Sequence, residues 1–177
     1  MEGLTSVIVC LDVAYGAAGA SASGVLFHAW TDGESAGEIV MQLGPVAEYK
    51  PGRFYRRELP CLLAVLDIVQ EPLETVVVDG YVWLGDGNVP GLGACLFESL
   101  KGGTPVVGVA KSTFAGACHA IPVFRGGSRR PLLVTAAGMD PVAAARNVAA
   151  MHGRHRIPTL LKRADLLSRL GLVSAGD

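Results

Sequence analysis

Four acidic residues stand beside predicted strand ends and on predicted helices, where their carboxylates could act together: Asp12, Glu58, Asp79 and Asp165. Asp12 ends the first apolar run, and Asp79 ends the apolar run Val76–Val78. If these two strands are neighbours in one sheet, their carboxylates come within a few ångströms of each other. Such a cluster is costly unless cations neutralise it, and hard oxygen ligands select Mg²⁺ or Mn²⁺. Two such ions roughly 3.5–4 Å apart can activate water for attack at a phosphodiester.

Each of these residues also has a purely structural interpretation, and spacing alone leaves both open. Asp12 and Asp79 could cap turns, while Glu58 and Asp165 could be surface charges.

Three other motifs favour simpler interpretations. The Gly-x-Ser-x-Gly stretch Gly33–Gly37 follows a turn and precedes a strand, whereas a nucleophile elbow needs a strand followed by a helix. The paired glycines within Gly80–Gly93 lack the third glycine of a dinucleotide fingerprint, so no nucleotide cofactor is expected. His152 and His155 have no acidic or cysteine companions nearby, which favours solvated or phosphate-facing histidines over zinc ligands.

The predicted elements that must position the carboxylates mix strands and helices. Hydrophobic patterning predicts strands at Ser6–Val13, Ser23–Trp30, Gly37–Leu43, Val76–Val78, Thr104–Val109 and Leu132–Ala136. The first three are expected to form an antiparallel meander with a hairpin at Asp32-Gly33. Helices are predicted at Glu58–Gln70, Ala94–Leu100, Val142–Met151 (with Asp140 as N-cap) and Ile157–Leu170. Gly80–Gly93 and Pro122–Pro131 are predicted loops, the latter a mobile loop or loose hairpin. No linker or repeat interrupts the chain, which predicts one α/β domain spanning 1–177.

Composition excludes several classes of protein. Half of the 177 residues are hydrophobic, which excludes a disordered chain. No apolar stretch approaches the roughly 20 residues of a membrane span, and no basic segment precedes Val7–Cys10, so neither a membrane partner nor a signal peptide is expected. The four cysteines form no CxxC pair, which favours free thiols and a cytoplasmic location.

The formal net charge of −1 conceals an uneven distribution of charge along the chain. Residues 1–49 hold six acidic side chains and no lysine or arginine, whereas residues 111–177 hold ten lysines or arginines and three aspartates. This asymmetry favours a polyanionic partner. The candidate phosphate contacts are Arg125, Arg129, Arg130, Arg154, Arg156 and Lys162, although each could instead lie on a solvated face.

Several sequence blocks together resemble the endonuclease V family, in the order in which that family carries them. They are Asp12-Val13-Ala14-Tyr15, Tyr49-x-Pro51-Gly52, Arg57-Glu58-x-Pro60, Val78-Asp79-Gly80, Gly108-Val109-Ala110-Lys111-Ser112, Arg156-Ile157-Pro158 and Arg163-Ala164-Asp165. The resemblance implies an RNase H-like fold, with a central mixed sheet of five to seven strands flanked by helices. It also implies a Mg²⁺-dependent (Mn²⁺ possible) DNA-repair endonuclease that cuts DNA or RNA near inosine, which is deaminated adenine. The expected cut is at the second phosphodiester on the 3′ side of the inosine.

The resemblance also assigns roles to individual residues. Asp12, Glu58 and Asp79 match the metal-binding carboxylates of the family, and Asp165 matches a further acidic or histidine position. Lys111 matches a lysine that could stabilise charge at the scissile phosphate, and the alternative for it is an ion pair with one of the clustered carboxylates. Tyr49 matches the aromatic residue of a strand-separating wedge, or is a half-buried loop tyrosine. Its neighbour Lys50, together with Arg57, Arg129, Arg130, Arg154 and Arg156, completes the predicted nucleic-acid surface.

The chain departs from the family pattern in the loop that follows Asp79. No histidine lies between Asp79 and Lys111, where the family carries a His-Pro-Arg-like block, and Ala136–Met139 replaces a Gly-His-Arg block. Two alternatives to the endonuclease therefore remain open. One is a catalytically weakened homologue that binds nucleic acid, and the other is an RNase H-like nuclease selective for branched structures. A monomer is expected, and the sequence does not decide between DNA and RNA.

Overall fold

The first three strands form the predicted antiparallel meander. The computed structural model describes residues 5–45, 55–117 and 119–173. Strands β1 (Val7–Gly16), β2 (Gly19–Phe27) and β3 (Gly37–Leu43) pair antiparallel in succession. β1 is longer than predicted and β2 begins earlier, because the tight turn at Gly19 lets the ladder continue through small residues. Gly19 has φ of +146°, and a Cβ there would lie 2.2 Å from the carbonyl oxygen of Leu43. Only glycine fits this turn.

The four remaining strands of the main sheet follow β1 in space. They are β4 (Leu73–Asp79), β7 (Val106–Ala110), β9 (Leu132–Ala137) and β8 (Ile121–Val123), which give the order β3-β2-β1-β4-β7-β9-β8. β1, β4 and β7 are parallel, and β9 is antiparallel to both β7 and β8. β8 therefore runs in the same direction as β7. β4, β7 and β8 end at the same side of the sheet, which we call the carboxyl edge. The mixed sheet predicted from sequence is confirmed, with seven strands.

Helices cover both faces of this sheet. α1 (Tyr55–Leu66) and α2 (Leu92–Ser99) pack on one face, where Leu62 and Leu96 join a buried cluster with Val9 and Val78. α3 (Pro141–Ala150) and α4 (Thr159–Val173) pack on the other face. This layering is that of an α/β fold.

The predicted helix ends are partly corrected. α1 ends at Leu66 rather than Gln70, because the N–H groups of Ile68 and Val69 bond to carbonyls three residues back in a tight turn. α3 begins as predicted. The Asp140 carboxylate accepts a 2.9 Å hydrogen bond from the N–H of Ala143, and Pro141 occupies the first turn.

The predicted loops contain short strands that the sequence did not indicate. A two-stranded hairpin, β5 (Trp83–Leu84) and β6 (Val89–Pro90), lies within the glycine-rich loop Gly80–Gly93. β8 forms the edge of the sheet where the loop Pro122–Pro131 was predicted to begin.

Three further features bear on motifs and residues considered in the sequence. The Gly33–Gly37 stretch leads into β3 rather than a helix, so it is a hairpin turn and not a nucleophile elbow. Cys10, Cys61 and Cys95 carry free thiols, and Cys118 lies outside the described residues. Within the described ranges, no helix is long and apolar enough to cross a membrane.

Candidate active site

Asp12 and Asp79 lie side by side at the carboxyl edge of the sheet. The parallel pairing of β1 with β4 runs to Leu11 and Val78, so the two aspartates are next in register. Neighbouring strands are roughly 4.8 Å apart, which brings the carboxylates close together as predicted. Asp79 ends β4, but Asp12 lies inside β1, where it pairs with Ser23 of β2. The prediction that Asp12 ends its strand was wrong, because the β1–β2 ladder continues to Gly16.

Glu58 approaches the two aspartates from α1, on the opposite face of the sheet from α4. It lies in the first turn of that helix and, with Asp12 and Asp79, lines a small cleft of about 110 Å³. Burial raises the pKa of Glu58 to about 7, and the negative charges of Asp12 and Asp79 add to the increase. The three carboxylates are therefore close enough to repel one another.

The ionised form of Asp12 is disfavoured for the same reasons. Burial raises its pKa to about 6, and the charges of Asp79 and Asp165 contribute further to the increase. The strongest opposing influence is a hydrogen bond from Ser168, and the ammonium of Lys111 also opposes the increase. A site with these properties favours neutralisation by a cation.

α4 contributes both Asp165 and Ser168. Ser168 is fully buried, and its hydroxyl lies 2.5 Å from Oδ2 of Asp12. Asp165 lies one turn earlier, and its Oδ1 accepts two hydrogen bonds from the Arg169 guanidinium at 2.9 and 3.2 Å. Sequence reasoning missed Ser168. The available signal was its spacing of three residues from Asp165, which places both on adjoining parts of one helix face.

Lys111 follows β7 and reaches back to β4. Its Nζ lies 2.6 Å from Oδ2 of Asp79, in an ion pair whose two side chains are 39% and 37% exposed. This is the ion pair that the sequence left open as one interpretation of Lys111. The ammonium is also accessible to a bound phosphate, so its role at the scissile bond stays a prediction.

The donor chemistry of the cluster fits a hard divalent cation. Asp12, Glu58 and Asp79 supply only carboxylate oxygens, which Mg²⁺ and Mn²⁺ prefer. Among the described residues, no group of three His, Cys, Asp or Glu side chains has the arrangement of a formed metal site. Three of the carboxylates instead have partners, Ser168 on Asp12, Lys111 on Asp79 and Arg169 on Asp165. The carboxylates therefore lie close together, and their role as metal ligands stays a prediction.

A larger cavity of about 660 Å³ opens beside the cluster. Glu58, Asp79 and Lys111 line its polar side, and Tyr81 and Phe114 lie among its apolar residues. The Tyr81 hydroxyl donates to the carbonyl oxygen of Ser112 at 2.9 Å and accepts from the N–H of Phe114 at 3.2 Å. These bonds link the loop after β4 to the loop after β7. Sequence reasoning did not single out either aromatic residue.

Some of the predicted nucleic-acid contacts are exposed side chains, and others already contact groups of the protein itself. Arg129, Arg130, Arg154 and Lys162 are exposed. Arg57 instead stacks over Tyr15, with its guanidinium carbon 3.7 Å from the ring centroid. Tyr49 and Lys50 lie outside the described residues.

Arg125 and Arg156 are engaged with main-chain carbonyls. Arg125 is only 9% exposed and donates to the carbonyls of Met151, Gly153, His155 and Arg156. The prediction that Arg125 contacts phosphate was wrong, because these buried bonds hold its guanidinium inside the protein. Arg156 donates to the carbonyls of Lys111, Arg130 and Pro131.

Sheet order, helix placement and carboxylates at the carboxyl edge together define an RNase H-like protein. A sequence profile of the endonuclease V family matches residues 1–139. The chain therefore belongs to the endonuclease V family, as its sequence blocks indicated.

Two relatives that are named endonuclease V support this membership. An endonuclease V of Streptomyces avermitilis is 30% identical over 163 residues, which cover 78% of this chain and 69% of the relative. One from Streptomyces coelicolor is 31% identical over 148 residues, covering 72% of this chain and 62% of the relative.

Solved structures agree. The crystal structure of endonuclease V from S. avermitilis superposes with a TM-score of 0.78 at 27% identity, covering 99% of this chain and 85% of the other. The endonuclease V of Ciona intestinalis, solved with a DNA that contains an inosine followed by a ribo-adenosine, gives a TM-score of 0.79 at 17% identity. That match covers 96% of this chain and 87% of the Ciona chain, and at this identity it establishes the fold alone.

Proposed function

We propose that this protein is a divalent-cation-dependent endonuclease that hydrolyses phosphodiester bonds near inosine in DNA or RNA. The observation that carries the proposal is that Asp12, Glu58 and Asp79 line one cleft, next to the Lys111 that pairs with Asp79. The raised pKa values of Asp12 and Glu58 support a role in cation binding. Family membership and the inosine-containing DNA bound by the Ciona relative support the choice of substrate and a role in DNA repair.

Asp12, Glu58 and Asp79 would hold the cation, with Asp165 beside them. When bound, Mg²⁺ or Mn²⁺ lowers the pKa of water and neutralises charge on a phosphate. Ser168 fixes the orientation of Asp12 by donating to its Oδ2. Lys111 is placed to stabilise the negative charge that develops on the phosphate oxygens during attack. In this scheme a water would attack the phosphorus, the P–O3′ bond would break, and a proton from that water would pass to the leaving 3′ oxygen, which gives a 3′ hydroxyl and a 5′ phosphate.

A catalytically weakened nucleic-acid-binding homologue is the second candidate. The loop between Asp79 and Lys111 carries no histidine, and the Lys111 ammonium already neutralises Asp79. A binding protein needs the exposed arginines but not the carboxylates.

Cleavage of matched oligonucleotides tests the proposal. Single- and double-stranded DNA and RNA, each with one inosine or with adenosine at the same position, are incubated with Mg²⁺, with Mn²⁺ or with EDTA. We expect cation-dependent cutting on the 3′ side of inosine, and its loss in Asp79→Asn. Asp67→Asn is the matched control, since Asp67 is an exposed carboxylate beyond the end of α1.

The outcomes separate the candidates. Salt-sensitive binding by the wild-type protein without any cutting supports the binding homologue. Cutting of branched DNA with no preference for inosine supports a structure-selective nuclease. Full activity in Asp79→Asn contradicts the proposed active site.

A further inference from the structure

Phe124 is an exposed aromatic residue at the same edge of the sheet as the carboxylates. It directly follows β8 and is 64% exposed, more than the other large apolar side chains that the structure describes. Because β8 and β7 run in the same direction, Phe124 and Lys111 both follow strands that end at the carboxyl edge. β9 alone separates these strands, so their axes lie roughly 10 Å apart.

The residue after Phe124 anchors this region to the protein. The buried guanidinium of Arg125 donates to four carbonyls of the segment Met151–Arg156, which connects α3 to α4. Gly126 packs against the same segment with φ of +61°, and a Cβ there would lie 2.6 Å from the carbonyl carbon of His155. The residues that follow Phe124 are therefore held against the protein by these contacts, although Phe124 itself does not belong to the core.

A second arginine ties the other end of the loop to the active site. Arg156 donates to the carbonyls of Arg130 and Pro131, each at 2.9 Å, and also to the carbonyl of Lys111. Within the loop, the hydroxyl of Ser128 accepts from the N–H of Arg130 at 3.1 Å. The loop and the residue that pairs with Asp79 are therefore held in one hydrogen-bonded unit.

The exposed charges of this region are positive. Arg129, Arg130 and Arg154 are exposed, and the sequence from 111 to 164 contains nine lysines or arginines and one acidic residue, Asp140. An aromatic face next to clustered arginines is the combination that binds single-stranded nucleic acid, since each base offers a π-face and each phosphate a negative charge. Charge complementarity thus favours a nucleic-acid strand as the occupant.

We propose that the segment Phe124–Arg130, which we call the aromatic-basic loop, binds a single-stranded part of the nucleic acid, with Phe124 stacked on a base and Arg129 and Arg130 on phosphates. This inference rests on the proposed function, because it extends the same substrate from the carboxylates across β7, β9 and β8. Since hydrogen bonds of Arg125 and Arg156 hold both ends of this loop, little conformational entropy is lost when the base stacks.

Binding to two oligonucleotides tests the stacking role. One is an ordinary single strand, and the other has the same sugar–phosphate backbone with abasic sites throughout. Affinities are measured by fluorescence anisotropy with EDTA present, so that no cation-dependent cleavage occurs. We expect Phe124→Ala to weaken binding to the ordinary strand by roughly 5- to 100-fold and to leave the abasic strand unaffected. Phe124→Trp keeps the aromatic face and should bind at least as tightly as wild type. Ile68→Ala is the matched control, since Ile68 is a 45% exposed apolar residue beyond α1.

The arginines are tested by salt dependence. Arg129→Gln and Arg130→Gln should weaken binding to both oligonucleotides and reduce the slope of log affinity against log salt by about 0.7 each. Arg163→Gln is the control, because Glu38 already holds that guanidinium at 2.8 Å.

Two results with Phe124→Ala overturn the inference. One is an equal loss on both oligonucleotides, and the other is no loss on either. Weak binding by Phe124→Trp, with an unchanged circular dichroism spectrum, also contradicts stacking. The proposed function fails separately, through absence of inosine-directed cutting by the wild-type protein, so the two failures are distinguishable.

Discussion

The hydroxyl of Ser168 on α4 lies 2.5 Å from Oδ2 of Asp12 on β1 and is fully buried. The same hydroxyl lies 2.9 Å from the carbonyl oxygen of Asp165. Through this contact, a helix on one face of the sheet fixes the orientation of a carboxylate inside a strand. Ser168 therefore acts on the site by positioning Asp12.

Ser168→Ala should weaken cation binding by about 10- to 100-fold, the usual effect of removing a group that orients a metal ligand. Isothermal titration of the free protein with Mn²⁺ measures this effect without relying on activity. Ser168→Thr, which keeps the hydroxyl, should restore most of the affinity. Ser99→Ala is the control, since Ser99 makes a comparable bond to a helix carbonyl at an exposed position. Unchanged Mn²⁺ affinity in Ser168→Ala contradicts this role.

Lys111→Met should lower kcat by about 100- to 1,000-fold while changing KM little, because the ammonium acts on charge that develops in the transition state. Stability should change by about 0.2–1 kcal/mol at most, since the ion pair with Asp79 is half exposed. Steady-state kinetics on an inosine-containing strand and a thermal melt provide both measurements. Lys101→Met, at an exposed lysine after α2, is the control. A rise in KM alone would assign Lys111 to substrate binding.

The metal-free protein should become less stable as pH rises from about 4 to about 7. The pKa of Asp12 is raised to about 6 and that of Glu58 to about 7, from ordinary values of 3.8 and 4.5. In this window the folded state therefore holds more protons than the unfolded state, so the free energy of unfolding decreases with pH. Glu58→Gln removes one of these charges and should stabilise the protein at pH 8 by about 1–3 kcal/mol.

Urea unfolding in EDTA at several pH values measures this slope. Glu98→Gln is the control, since Glu98 is an exposed carboxylate on α2. Mg²⁺ should raise the melting temperature more at pH 8 than at pH 5, because protons compete for the same carboxylates. A stability that increases with pH across this window would contradict the electrostatic description of the cluster.

Arg125→Gln should destabilise the protein by about 2–4 kcal/mol. The change leaves several carbonyls of Met151–Arg156 without their buried donor, and unsatisfied polar groups are expensive. Arg146→Gln, at an exposed arginine of α3, should change stability by less than about 0.5 kcal/mol. Chemical denaturation of both variants makes the comparison, and equal stabilities would show that Arg125 is not an anchor.

Gly171→Ala should destabilise the packing of α4 on the sheet. A Cβ at Gly171 would lie 2.0 Å from Oγ of Ser21 and 2.9 Å from Cγ1 of Val40, so the helix must move outward. Overpacking of this kind costs about 1–3 kcal/mol. Ser21→Gly removes the nearest clash and should recover part of the loss in the double variant. Thermal melts of the single and double variants measure the coupling, and simple additivity contradicts the close approach.

Sequence patterns predicted the parts of the site that depend on strands. Asp79 follows an apolar run that is typical of a buried parallel strand, and its neighbour Asp12 ends another apolar run. Where small residues dominate, as between Asp12 and Gly19, hydrophobic patterning carries no signal and the strand ends were misplaced. The turn at Gly19 is decided by a close main-chain contact, which is a tertiary property.

The sequence could not tell which arginines are buried and which are exposed. Arg125 and Arg129 lie four residues apart in the same glycine-containing stretch, yet one is buried among carbonyls and the other is exposed. What separates them is the connection between α3 and α4, which folds over Arg125 from a distant part of the chain. Ser168 was missed because its spacing from Asp165 indicates only a shared helix face, whereas its bond to Asp12 depends on how α4 packs on β1.

The four carboxylates project from two kinds of secondary-structure element. Asp12 and Asp79 belong to strands with hydrogen-bonded neighbours on both sides, whereas Glu58 and Asp165 project from helices. Side chains of Ser23 and Gln42 bond α4 to the sheet by donating to its main-chain carbonyls, and apolar side chains of α1 pack on the opposite face. A shift of α1 would therefore change the distance from Glu58 to the two aspartates while their strands stay paired. If the carboxylates hold a cation as we propose, substitutions in the packing of α1 should change which cation binds and leave the aspartate pair in place.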